Sequence, residues 1–91
     1  MVTAIILIQV ERGAASRVGE RLAGLNGVSE VYSVGGRWDL VAIARLPHNE
    51  ALAELVNGSL AQQEGILRTE SLLAFKMFSR HDLEAMFSIG A

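Results

Sequence analysis

Val28-Ser29-Glu30-Val31-Tyr32-Ser33-Val34-Gly35-Gly36-Arg37-Trp38-Asp39-Leu40-Val41-Ala42-Ile43-Ala44 places a glycine pair between two β-rich runs. Val, Tyr and Ser fill the first run, Val28 to Val34. The second, Trp38 to Ala44, is apolar at every second position on both faces, Val41 and Ile43 against Leu40 and Ala42. β-Branched and aromatic residues fit a pleated surface, and Gly35-Gly36-Arg37 supplies a tight, φ-permissive connection. The stretch predicts a β-hairpin whose second strand is apolar on both faces.

Upstream, Thr3 to Val10 alternates Ile5 and Leu7 with Ile6 and Ile8, as a central strand does. After Glu11-Arg12-Gly13, the apolar residues Ala15, Val18, Leu22 and Leu25 fall three and four apart, which predicts a helix burying one stripe. Asn26-Gly27 supplies its stop. Downstream, Pro47 closes the hairpin, and Asn49 is placed as N-cap of a helix with Leu52, Leu55, Val56 and Leu60 inward. Gly65 ends that segment.

A last strand is predicted from Ile66 to Phe78. Leu67, Thr69, Ser71, Leu73, Phe75 and Met77 share one face, and Ile66, Arg68, Glu70, Leu72, Ala74, Lys76 and Phe78 the other. Ser79-Arg80-His81-Asp82 resembles a capping box before a short turn or helix holding Leu83, Met86 and Phe87.

The order β-α-β-β-α-β predicts an α+β, ferredoxin-like fold with a four-stranded antiparallel sheet. The halves echo each other: Gly27-Val28 with Ser33, then Gly65-Ile66 with Ser71. Both helices cover one sheet face, so the second apolar face needs a cover. Exposing several such side chains at roughly 1.5–3 kcal/mol each would erode a margin of about 5–15 kcal/mol. Sheet-to-sheet dimerisation meets that need; folding back of the C-terminal segment is the alternative.

The 91 residues suffice for one compact core. Hydrophobic residues make up 51% and charged ones 20%, a balance that excludes a disordered tail. With net charge −2 and eight Lys and Arg spread along the chain, there is no basic stripe for a phosphate backbone. Nucleic acid is therefore not an expected direct partner. No cysteine is present, so disulfides and thiolate metal sites are absent. His48 and His81 stand apart from any acidic cluster, so neither metal nor cofactor is expected. The apolar run Ala4–Ile8 is too short for a membrane span or a signal segment. A cytoplasmic protein fits.

Val34-Gly35-Gly36-Arg37-Trp38-Asp39-Leu40 sets an aromatic, a carboxylate and a guanidinium beside open backbone amides. Such a loop suits a small zwitterion: Arg37 for a carboxylate, Asp39 for an ammonium, glycine N–H groups as donors. The plain alternative is a Gly-Gly hairpin with Trp38 packed inward. Thr69 and Ser71 put two hydroxyls on one face of the last strand, fitting a polar pocket or an ordinary strand. Glu50, Glu54, Glu64 and Glu84 fall on expected exposed helix faces. No nucleophile or orienting carboxylate accompanies either histidine, so no catalytic set is expected.

Leu25-x-Gly27-Val28, Val31-Tyr32-Ser33-Val34, Gly36-x-Trp38-Asp39-Leu40 and Gly65-Ile66-x-x-Thr69-x-Ser71 make the chain resemble the effector domain of the Lrp/AsnC family of transcriptional regulators over nearly its whole length. The resemblance implies a ferredoxin-like domain that pairs through its sheets into a dimeric α/β barrel, with four dimers commonly forming an octamer. It also implies an amino acid ligand between dimers, held by Val34, Gly35, Gly36, Arg37 and Asp39, with Tyr32, Thr69 and Ser71 as further lining residues. The helix-turn-helix of full-length members has no counterpart here, so a stand-alone effector domain over residues 1–91 is expected, one able to co-assemble with full-length relatives. Gly35 stands where a hydroxyl residue is frequent in the family, and Ser71 where threonine is.

Three functions follow as expectations. The first is a ligand-binding, oligomerising regulatory module for amino acids, acting in transcriptional or metabolic regulation without itself binding DNA. The second is a small dimeric α/β-barrel enzyme of monooxygenase or isomerase type, which needs a closed, polar-studded cavity in each subunit. The third is an assembly partner with no ligand. An amino-acid-binding ACT-type domain shares the topology but lacks the Gly36-x-Trp38-Asp39 turn.

Overall fold

The computed structural model describes residues 1–80. The elements are β1 (Val2–Val10), α1 (Ala15–Ala23), β2 (Val28–Ser33), β3 (Leu40–Leu46), α2 (Asn49–Glu54) continued by a π-helical turn (Leu55–Leu60), and β4 (Ile66–Ala74). The strands form one antiparallel sheet in the order β2-β3-β1-β4. This is the expected ferredoxin-like arrangement, with β1 central because it is apolar on both faces.

The alternation in β1 decides what each face does. Ala4, Ile6, Ile8 and Val10 are buried; the buried Ala44, Ala42 and Leu40 of β3 stand opposite the first three in register, and the buried Leu46 stands opposite Val2. Val18 and Leu22 of α1, and Leu55 and Leu60 after α2, close this core. Thr3, Ile5, Leu7 and Gln9 point the other way, across from Arg45, Ile43 and Val41 on β3 and from Leu72, Glu70 and Arg68 on β4. Neither helix covers this second face; at its Thr3 end Phe75, Lys76 and Met77 of the segment after β4 line a cleft with Ile5 and Ile43, and the side chains of the face stay partly or fully exposed.

Several local expectations need correction. His48, in extended backbone, is the N-cap of α2, its Nδ1 accepting from the Ala51 N–H at 3.2 Å, whereas Asn49 is already helical. Strand β4 stops at Ala74 rather than Phe78, because Ala74 pairs with Thr3 near the start of β1 and little neighbouring strand remains. The register of β4 shifts between Gln9 and Val10, so Ile66 faces Val10 on the core side while Arg68 faces Gln9 on the open side. A bulge inserts one unpaired residue, here Leu67, which is why strict alternation misplaces Ile66. Strand β3 runs Leu40–Leu46 rather than from Trp38. The proposed capping box and Leu83, Met86 and Phe87 fall almost wholly outside the described residues.

Leu55 and Leu60 are both buried though five apart. On an α-helix five residues turn about 500°, which sets the two side chains roughly 140° apart. The wider π turn, with its i→i+5 pattern, returns Leu60 towards the face of Leu55. The chain then reaches β4 through a corner fastened to α1. The Glu11 N–H donates to the Gly65 carbonyl at 2.8 Å, and the Arg21 guanidinium donates to the Glu64 carbonyl. Gly65 has φ +90°, and a Cβ there would stand 3.0 Å from Val18 Cγ2.

Gly65→Ala should therefore lower stability by about 1–3 kcal/mol, the usual cost of a non-glycine residue in that backbone region. Gly35→Ala, at ordinary φ with nothing within 4 Å of the new methyl, should shift stability by less than about 0.5 kcal/mol. Urea unfolding of both variants measures the contrast, and equal losses would contradict the assignment.

Candidate functional site

The β2–β3 connection is a six-residue loop, Val34 to Asp39, closed by the Val34 N–H donating to the Asp39 carbonyl at 3.0 Å. It is wider than the two-residue hairpin that a glycine pair suggests, and only Gly36 takes positive φ, at +116°. Val34, Gly35, Gly36 and Arg37 are exposed, while the Val34 N–H is taken up by the Asp39 carbonyl.

Asp39 is the fastener of this loop. Its N–H donates to the Ile8 carbonyl and its Oδ2 accepts from the Val10 N–H, both at 2.9 Å. One carboxylate oxygen therefore serves the end of β1, and the other is left for a cation. Trp38 stays half-buried and outside the core cluster; the Arg68 guanidinium stacks 5.0 Å from its ring centroid. The inward-packed tryptophan is not what the fold adopts. Arg68 was not singled out from sequence, because its meeting with Trp38 depends on where β4 lies in the sheet relative to the start of β3, which no local pattern announces.

The remaining candidates do not all converge on this loop. Thr69 and Ser71 pair with Ile8 and Ile6, so they lie on the helix side of β4, yet both are exposed because the helices stop short of that edge strand. Tyr32 pairs with Val41, which places it on the open face and at the opposite edge of the sheet. Tyr32 cannot line one pocket with Thr69 and Ser71 within a single protomer. Its hydroxyl donates to the Glu30 carboxylate, which also lies 3.4 Å from Arg45. This trio flanks an open cleft of about 520 Å³ floored by Ile5 and Ile43.

The phenol first, and Arg45 second, hold the Glu30 carboxyl below its ordinary pKa; the same hydrogen bond raises that of Tyr32. A depressed carboxyl contributes stability above its ordinary titration range and loses it as pH falls through the depressed value. A raised phenol contributes below its ordinary value and loses it as pH rises through the raised one. Tyr32→Phe should therefore move the Glu30 titration up towards the ordinary value in carboxyl-detected NMR. An unmoved Glu30 would remove the phenol as its main partner.

Between sheet and helices, the buried set among the described residues contains no polar or charged side chain. The closed, polar-studded cavity that an enzyme of this architecture requires has no counterpart there. Asp39→Ala should cost about 1.5–3 kcal/mol, because it removes a charged acceptor from a partly buried N–H. Asp39→Asn, whose amide oxygen still accepts, should cost less. Chemical denaturation distinguishes them, and no difference between either variant and the parent would show that the fastener carries no weight.

The model of the Lrp/AsnC ligand binding domain matches residues 3–83. An HTH-type transcriptional regulator of Pyrococcus horikoshii, PH1916, is 34% identical over 76 residues, covering 80% of this chain and 51% of that protein. The chain thus spans about half the length of the curated relatives it matches. TTHA0845 from Thermus thermophilus is 44% identical, with a TM-score of 0.82 over 88% of this chain and all of that one. A transcriptional regulator of Neisseria meningitidis, NMB0573, shares the fold at 16% identity, with a TM-score of 0.75 over 87% of this chain and 53% of its own. With its strand order, its Asp39-fastened turn and a family match over nearly its whole length, this chain belongs to the Lrp/AsnC ligand-binding domain family.

Proposed function

We propose that this domain is a sensing and assembly module of transcriptional or metabolic regulation, which binds an amino acid between assembled copies and performs no catalysis. The observation that carries this reading is the display of the Val34–Asp39 loop: Gly35, Gly36 and Arg37 are exposed, and they line no enclosed cavity among the described residues. A ligand bound there must be closed over by another copy. In this reading Arg37 takes the carboxylate, the free oxygen of Asp39 the ammonium, and the amides of Gly35 and Gly36 donate without a side chain in the way. Val34 borders them, and Thr69, Ser71 and Tyr32 contribute from the surfaces that a neighbouring copy brings close. The Neisseria meningitidis regulator was solved as a complex with L-methionine, which supports this ligand class.

Assembly begins at the open sheet face. Ile5, Leu7, Val41, Ile43 and Leu72 form a continuous apolar band that a second copy would cover, giving a dimeric α/β barrel, and four such dimers an octamer. The distributed charge supports regulation without direct DNA contact by these residues, either alone or by co-assembly with full-length relatives in the cytoplasm.

Thermal unfolding against the twenty amino acids, with light scattering in parallel, tests both parts. A ligand at a hundred times its Kd adds about 2.7 kcal/mol of stability, so one amino acid class should shift the melting curve selectively. Arg37→Ala should abolish that shift while leaving the unliganded curve in place. Ile43→Asp should yield monomers. A monomeric parent would overturn the assembly, and a stable assembly unmoved by every amino acid would overturn the ligand.

A further inference from the structure

The Val34–Asp39 loop is held unevenly. At its ends the Val34 N–H donates to the Asp39 carbonyl at 3.0 Å, and Asp39 is fastened to Ile8 and Val10 of β1. Between those ends, no backbone hydrogen bond among the described residues holds Gly35, Gly36 or Arg37. Two glycines in succession have no Cβ to restrict their dihedrals, so on these ties alone the tip that carries Arg37 would swing widely.

One further contact reaches the loop. The Arg68 guanidinium of β4 lies over the Trp38 ring, 5.0 Å from its centroid. In the order β2-β3-β1-β4, strand β1 stands between β4 and the β3 that Trp38 precedes, so the stack bridges two strand spacings, roughly 10 Å. Consecutive residues therefore tie the loop to two different strands, Asp39 to β1 and Trp38 to β4. Arg68 makes this contact and no ion pair with Glu70, which shares its side of β4 two residues along. A guanidinium laid on an indole covers its weakly hydrated face and keeps its N–H edges in water. At an exposed position, where a lone ion pair gains little, the ring is the better partner.

We propose that Arg68 is a positioning residue of this loop: by holding Trp38 against β4 it sets where the neighbouring Arg37 stands to take the ligand's carboxylate. The inference rests on the amino acid reading above and deepens it. Successive Cα atoms are about 3.8 Å apart, so a Trp38 held at its ring reduces the free tip to Gly35, Gly36 and Arg37 and limits its excursion. Part of the ordering that ligand binding would otherwise have to impose is then already present in the folded domain. Arg68 acts through the ring and not on the ligand, which separates it from a second carboxylate-binding cation. Being exposed, it can be replaced without disturbing the core.

Trp38 is the chain's one tryptophan, so its emission reports the contact without background. In Arg68→Ala the anisotropy of that emission should fall while the urea midpoint stays in place. Trypsin should cut the Arg37–Trp38 bond about two- to fivefold faster, the opening expected from losing one exposed guanidinium–indole stack. Affinity for whichever of the twenty amino acids shifts the parent's melting curve should weaken by a similar factor. Trp38→Ala should weaken it alike, and Trp38→Phe, which keeps a ring for Arg68, should weaken it less. Adding Arg68→Ala to Trp38→Ala should cost nothing more, because the two residues then act as one unit. A further loss in the double variant would make Arg68 a direct ligand contact and overturn the positioning role. Faster cleavage with unchanged affinity would overturn the link from loop to ligand, and unchanged anisotropy and cleavage would overturn the tie itself. A parent unmoved by every amino acid, whose loop still loosens in Arg68→Ala, would overturn the amino acid reading and with it the ligand part of this inference, while the tie to β4 stood.

Discussion

The rest of the molecule depends on one constraint, that β1 is apolar on both faces. Ile6 and Ile8 hold the helical layer, while Ile5 and Leu7 lie outside that core and stay partly exposed among the described residues. Had Ile5 and Leu7 been polar, the sheet would have been an ordinary one-sided layer with water on its back. As it stands, the strand that contributes Ala4, Ile6, Ile8 and Val10 to the core also carries apolar side chains that the core does not take up. Its neighbours comply: Val41 and Ile43 stand directly opposite Leu7 and Ile5 in register, so the apolar band crosses strands. The polar Glu30–Tyr32–Arg45 group lies near one end of the band, and Arg68, Glu70 and Gln9 near the other.

The same strand holds the β2–β3 loop. Asp39 joins both Ile8 and Val10 at the end of β1, so the loop is anchored to an interior strand of the sheet even though its tip is exposed. Anchoring by the carboxylate uses part of the charge that a ligand's ammonium would otherwise have to itself. Two roles would thus fall on one residue and separate by oxygen: Oδ2 serves the fold, and the proposed ligand contact is left to its twin. Arg37, exposed at the loop tip, carries no such structural duty, which is why its substitution separates the proposed recognition from stability.

Much of this was legible in the residues. Period-two alternation in Thr3–Val10 and the three-and-four spacing of Ala15, Val18 and Leu22 gave the central strand and first helix, because burial imposes those periods directly. What stayed hidden came from pairing between distant segments. The β4 bulge moves Ile66 to the core face against strict alternation, and no property of Leu67 marks it as the extra residue. The end of β4 was overshot because Phe75, Met77 and Phe78 keep a strand's composition after the neighbour that would pair with them has run out. The π turn is invisible for a similar reason: only the demand that Leu60 return to the core selects it. At the candidate site, the loop's position was readable from Gly35-Gly36 and Asp39, whereas the separation of Tyr32 from Thr69 and Ser71 onto opposite faces depended on strand order.

The β2–β3 hairpin links assembly to sensing through its geometry. Its open face bears Tyr32, Val41 and Ile43; its helix side bears Val31 and Leu40 along a groove beside α1; its tip is the exposed loop. One two-stranded unit therefore touches every surface on which a second copy is proposed to act. A ligand held only between copies binds the assembled state and not the separated one, so it favours assembly by mass action in proportion to its concentration over its Kd. By the same reciprocity, whatever strengthens contacts along the hairpin raises ligand affinity. A change at the sheet face far from the loop should then register in ligand binding without any movement of the loop itself. That coupling requires no hinge, only a stiff strand pair shared by two interfaces.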